Sequence, residues 1–153
     1  MLETLRAGIA SYGTPEEVLT DNGSQYITWR GMEKARGQGL NRVSGVVRDI
    51  ATDGIGEADG AADVVLLFNL LHCEDAGALL RESWRVLRAG GRIGAVHWRS
   101  DVPAPRGPEL AIRPHPEAIE RWLIEAGFTI LVPPKVLQPY HFGLVGSKQP
   151  EAT

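Results

Sequence analysis

Cysteine is almost missing from this 153-residue chain, Cys73 being the only one. A single thiol excludes an internal disulfide and a cysteine-built zinc site, and leaves Cys73 the role of a small buried hydrophobe. Long apolar runs are missing too: nothing approaches the roughly eighteen consecutive apolar residues of a membrane span, so no membrane partner is expected. The start, Met1-Leu2-Glu3-Thr4-Leu5-Arg6, lacks the apolar segment of a signal peptide, and a cytoplasmic setting is the expectation. Charge of one sign is scarce as well. Sixteen Lys and Arg stand against 19 Asp and Glu for a net charge of −3, which gives no basic surface, and nucleic acid is not an expected partner. What remains is the composition of an ordinary soluble domain, 43% hydrophobic and 23% charged, long enough to bury a core.

The clearest signal is a strand-helix-strand unit from Ala62 to Trp98. Asp63-Val64-Val65-Leu66-Leu67-Phe68 is a continuous apolar run, and predicts a strand buried on both faces. Ala76, Leu79, Leu80, Ser83, Val86 and Leu87 fall on one helical face, with Gly90-Gly91 as the expected left-handed stop. Arg92 to Trp98 then resumes as a strand, so a right-handed crossover and a parallel sheet follow. Further on, Pro116 to Ala126 predicts an amphipathic helix stopped by Gly127. Phe128 to Val132 predicts a strand ended by Pro133-Pro134, and Tyr140 to Val145 a last antiparallel strand.

The first part of the chain reads differently. Leu2 to Tyr12 is an amphipathic helix, Val18-Leu19-Thr20 a short strand, and residues 32–42 have the composition of a linker. The words Tyr12-Gly13-Thr14-Pro15-Glu16-Glu17-Val18-Leu19-Thr20-Asp21-Asn22-Gly23-Ser24-Gln25-Tyr26 closely resemble the integrase core of insertion-sequence transposases. That resemblance implies a DDE-type site in which Asp21 is one of three carboxylates holding two Mg or Mn ions for strand transfer. The first carboxylate would lie upstream of this chain. Glu57 has the spacing of the third, but Asp53-Gly54-Ile55-Gly56-Glu57-Ala58-Asp59-Gly60 is a loop sequence and not a helix face, so Asp21 is left an orphan.

From about Val43 the chain resembles the second half of a class I S-adenosylmethionine-dependent methyltransferase. The resemblance rests on Ala62 to His72, on Leu80-Arg81-Glu82-Ser83-Trp84-Arg85-Val86-Leu87-Arg88-Ala89-Gly90-Gly91-Arg92, and on Glu125-Ala126-Gly127-Phe128. It implies an α/β fold: a partial Rossmann-like methyltransferase sheet with equivalents of strands three to seven, preceded by an amino-terminal helix-strand fragment. The organisation expected is 1–31 integrase-like fragment, 32–42 linker, 43–149 truncated methyltransferase-like domain and 150–153 tail. The first two strands and the glycine-rich turn of the cofactor cradle have no equivalent in this reading.

By the same resemblance, Asp49 and Ile50 end the third strand and face the adenine of S-adenosylmethionine. Asn69 and Leu70 face its methionine end, and His72 is a candidate base. The other readings are a turn-capping Asp49 and a structural His72. In the long loop after the second strand, Trp98, Arg106 and Arg113 are candidate contacts of a small-molecule methyl acceptor, or else arginines whose stems cover the sheet. The function expected is a methyltransferase-like domain lacking most of its cradle, a fusion product with weak or no activity; the alternative is an integrase fragment inactive alone. Without a first strand, Asp63 to Phe68 would be an apolar edge, leading to self-association or to its cover by Val43 to Val47 or Val18 to Thr20.

Overall fold

The computed structural model describes residues 18–20, 37, 39 and 50–150. In chain order the elements are β1 (Val18–Thr20), α1 (Ile50–Asp53), β2 (Ala62–Phe68), α2 (Ala76–Val86), β3 (Leu87–Trp98), a 3-10 turn (Leu110–Ile112), α3 (Pro116–Glu125), β4 (Thr129–Leu137) and β5 (His141–Ser147). They build one five-stranded sheet in the order β1-β2-β3-β5-β4. The first three strands are parallel and β5 is antiparallel to both neighbours. The expected α/β fold with a parallel sheet and an antiparallel end is what the residues form. The helix Leu2 to Tyr12, the strand Val43 to Val47, Asp21 and Asp49, and all of the linker except Gly37 and Gly39, lie outside the described residues.

The β2 edge is covered from within the chain. Val18, Leu19 and Thr20 pair in parallel with Val64, Val65 and Leu66, which is one of the covers expected from the sequence. The strand read as part of a separate fragment thus belongs to the same sheet, and among the described residues it is an end strand.

One face of the sheet carries the core. Val65 and Leu67 of β2, Ile93, Ala95 and His97 of β3, and Phe142 and Leu144 of β5 alternate inward, meeting Leu79, Leu80 and Val86 of α2 and Ile119 and Leu123 of α3. The other face of β2, with Val64, Leu66 and Phe68, is only half-buried, so β2 alternates where burial on both faces was expected. The buried face of α2 matches the expected stripe up to Val86.

Two expected stops are corrected. Helix α2 ends at Val86, not at Gly90-Gly91, because Leu87 turns to extended backbone (φ −71°, ψ 132°) and pairs with Ala62. The helix end is closed by Lys148, whose ammonium donates to the carbonyls of Trp84 (2.9 Å) and Leu87 (2.8 Å). Gly90, at φ +76°, instead shapes a bulge between residues 88 and 91 that is bonded back to Lys148. Strand β4 runs through Pro133-Pro134, which sit in a bulge between the paired residues Val132 and Lys135. That is possible because β4 is a terminal strand, where a missing N–H leaves no partner wanting. Helix α3 stops as expected: Gly127 (φ +98°) donates to Ile124 O and Phe128 to Leu123 O, the two bonds of a Schellman cap.

Candidate functional site

The parallel strands β1, β2 and β3 end together at Thr20, Phe68 and Trp98, and β5 starts there, with His141 opposite Trp98. Ligands of open α/β sheets bind outside such carboxyl ends. The polar side chains gathered there come from the turn after β2, the end of β3 and the start of β5.

Asn69 is the first residue of that turn. Its N–H donates to Val96 O (2.8 Å), which extends the β2–β3 ladder by one bond. Its backbone then reverses at φ +58°, the only positive φ of a non-glycine among the described residues. Asparagine tolerates this left-handed region better than most side chains, yet strain of this kind concentrates at functional positions. The side-chain Nδ2 lies 3.5 Å from His141 Nε2, and Oδ1 is buried with no hydrogen-bond partner. An orphaned buried acceptor is costly and marks a place where a donor from a ligand fits.

His72 lies three residues on, half-buried, with Nδ1 3.4 Å from His97 Nε2. His97 is 1% exposed, and its other nitrogen, Nδ1, lies 3.3 Å from the carbonyl of Trp98. Burial is the main cause that pushes its pKa down to about 4; the Trp98 carbonyl opposes that, while His72, His141 and Arg113 add to it. His141 is likewise lowered, first by burial and then by the charge of Arg113. Burial and the Arg113 charge thus disfavour a proton on both His97 and His141.

On the opposite face of β3 from His97, Trp98 lies against His141, with ring centroids 4.0 Å apart, and carries the Arg113 guanidinium 5.5 Å from its ring centre. Arg113 is 6% exposed and donates to the carbonyls of Pro108 (2.8 Å), Arg99 (3.0 Å) and Val102 (3.1 Å). It straps the loop from inside. Gly107, at φ +96°, lies so close to the Trp98 indole that a Cβ there would meet Cε2 at 2.7 Å.

The structure brings Asn69, His72 and Trp98 to the same end of the sheet. Arg106 is exposed on the loop, Leu70 packs half-buried on the core, and Ile50 opens α1 and packs there too. Glu57 is exposed in a loop, as its sequence predicts. That loop is fixed to α2. Arg85 binds Glu82 in a bidentate pair and also holds Asp59 and the Glu57 carbonyl, while Glu82 accepts from Ile55 N–H at 2.8 Å. Among the described residues, no three His, Cys, Asp or Glu side chains are grouped to hold a metal. A recess of about 420 Å³ between α2 and α3, lined by Cys73, Asp75, Arg81, Trp122 and Glu125, includes neither Asn69 nor His72.

Sequence reasoning missed His141 and the partners of His97. Alternation along β3 points His97 inward, but no local pattern shows which turn it meets.

Three solved structures share this fold. A SAM-dependent methyltransferase from Aquifex aeolicus is similar over 86% of this chain and 68% of its own, at 17% identity and a TM-score of 0.69. The (4+2) cyclase SpnF is similar over 96% and 70%, at 17% identity and a TM-score of 0.70. PigF, solved with SAH, is similar over 95% of this chain and 47% of its own, at 19% identity and a TM-score of 0.62. No curated protein matches the chain. A methyltransferase domain model matches residues 10–95, a span that takes in Tyr12 to Tyr26, and the integrase resemblance of those words finds no support in the comparisons. With more than half its length matched, the chain belongs to the methyltransferase domain family.

Proposed function

We propose that the chain binds S-adenosylmethionine at the carboxyl ends of β1 and β2 and transfers its methyl group to a small molecule. The observation that carries this reading is Asn69, held in a left-handed conformation with a buried, unpartnered Oδ1 at that end of the sheet. A neutral amide acceptor in such a place suits an N–H or O–H donor of the cofactor. Further support comes from β1, which runs parallel to β2 and has Thr20 opposite Leu66, so both strands point their carboxyl ends to the same side of the sheet. Asp49 and the adjacent Ile50 serve the adenine, the carboxylate accepting from its amino group, and Leu70, next to Asn69, serves the methionine end.

The cofactor supplies a methyl group on a sulfonium, already activated, so the protein's part is positioning and proton removal. With the cofactor bound, its methyl group would pass to a nitrogen or oxygen of the acceptor, the sulfonium leaving as a neutral thioether, and His72 would take the acceptor's proton. Trp98 and the Arg106-bearing loop flank the acceptor.

Isothermal titration with S-adenosylmethionine and S-adenosylhomocysteine tests the reading. Binding in the micromolar range is expected, with Asn69→Ala weakening it roughly tenfold through the lost hydrogen bond. A folded protein that gives no binding heat with either compound overturns the proposal and favours a fused remnant without a working cradle.

A further inference from the structure

We infer that His97 is a positioning residue that fixes the tautomer of His72, leaving His72 Nε2 as a bare acceptor. His97 makes two contacts that decide this. Its Nδ1 faces the Trp98 carbonyl, which can only accept, so Nδ1 carries the proton. A buried imidazole at 1% exposure is held neutral, so its Nε2 then carries a lone pair. That lone pair faces His72 Nδ1 at 3.4 Å, and the contact is attractive only when His72 Nδ1 holds a proton. Neutral His72 therefore has its free lone pair on Nε2. The reverse arrangement, with His97 protonated on Nε2, would set a nitrogen lone pair against a carbonyl oxygen in a buried site.

Within the proposed methyl transfer, on which the functional meaning of the inference rests, this selects the acceptor. A bare Nε2 takes a proton, so it suits an acceptor that carries an O–H or N–H and must lose that proton as it is methylated. The charged and titratable groups facing His97 are His72, His141 and Arg113, each of which disfavours a proton on it.

The test is a long-range nitrogen-15 correlation spectrum of the histidine rings near pH 8 in the cofactor-free protein. The chain has four histidines, and His72→Gln and His97→Gln assign the two signals. Both His72 and His97 are expected as the Nδ1–H tautomer, the minor form of free imidazole. His97→Phe removes the acceptor and should shift His72 to the Nε2–H form, while His97→Gln, whose amide oxygen can accept, should restore Nδ1–H. A wild-type His72 in the Nε2–H form overturns the inference without any variant. So does an unchanged His72 tautomer in a folded His97→Phe protein. Neither result depends on cofactor binding, so loss of the tautomer and loss of binding are separate failures.

Discussion

His97 is a basic group placed where it cannot ionise cheaply, and that has a consequence for stability. Its pKa falls from the ordinary 6.5 to about 4, chiefly through burial. The unfolded chain thus binds a proton that the folded chain refuses. A group with a depressed folded pKa stabilises fully above its unfolded value and loses that contribution as pH falls toward the folded value. The window is therefore pH 6.5 down to 4, and the loss amounts to about 3 kcal/mol across it. Urea denaturation of the wild type from pH 7 to pH 4 should show this slope, and His97→Gln should lack most of it. Equal slopes in the two proteins would mean that His97 is not buried neutral.

At the scale of elements, the sequence was legible wherever the signal was periodic and local. Ala76, Leu79, Leu80, Ser83 and Val86 recur at helical spacing and are the buried face of α2. Pro116 and Gly127 bracket α3 because the start and the Schellman stop are both written within a few residues of the helix. The end of α2 was misread for the opposite reason. Gly90-Gly91 is a strong local stop, whereas the group that closes the helix, Lys148, is distant in sequence and reaches back from beyond β5. Arg113 is a similar case: as a loop arginine it reads as solvated or anion-binding, and only the fold shows its three carbonyl partners. The Lys148 contact gives a direct test. Lys148→Met keeps an apolar stem against the Trp84 ring, which the ammonium approaches to 5.2 Å from the centroid, but leaves both helix carbonyls without that donor. A loss of about 2 kcal/mol in denaturant unfolding is expected. A variant as stable as wild type would show that water caps this helix equally well.

For the whole molecule, the question is what protects the sheet at its β1 end. The sequence revealed the apolar β2 run and its need for a neighbour, and even named Val18 to Thr20 as a candidate; pairing register, being non-local, was not legible. The neighbour is short: three residues of β1 against the seven of β2. Proline removes a backbone donor and fixes φ, so Leu19→Pro should detach β1 while leaving α2, α3 and the rest of the sheet unaltered. Val64, Val65 and Leu66 would then present an unpaired apolar edge, a template for a second chain. The expected outcome is faster hydrogen exchange at Val64–Leu66 together with a weight-average mass that climbs more steeply with concentration than in wild type, read by sedimentation. If exchange at Val64–Leu66 stays as slow as in wild type, β1 is not what covers β2. If exchange rises but the mass does not, the bare edge alone is insufficient for association.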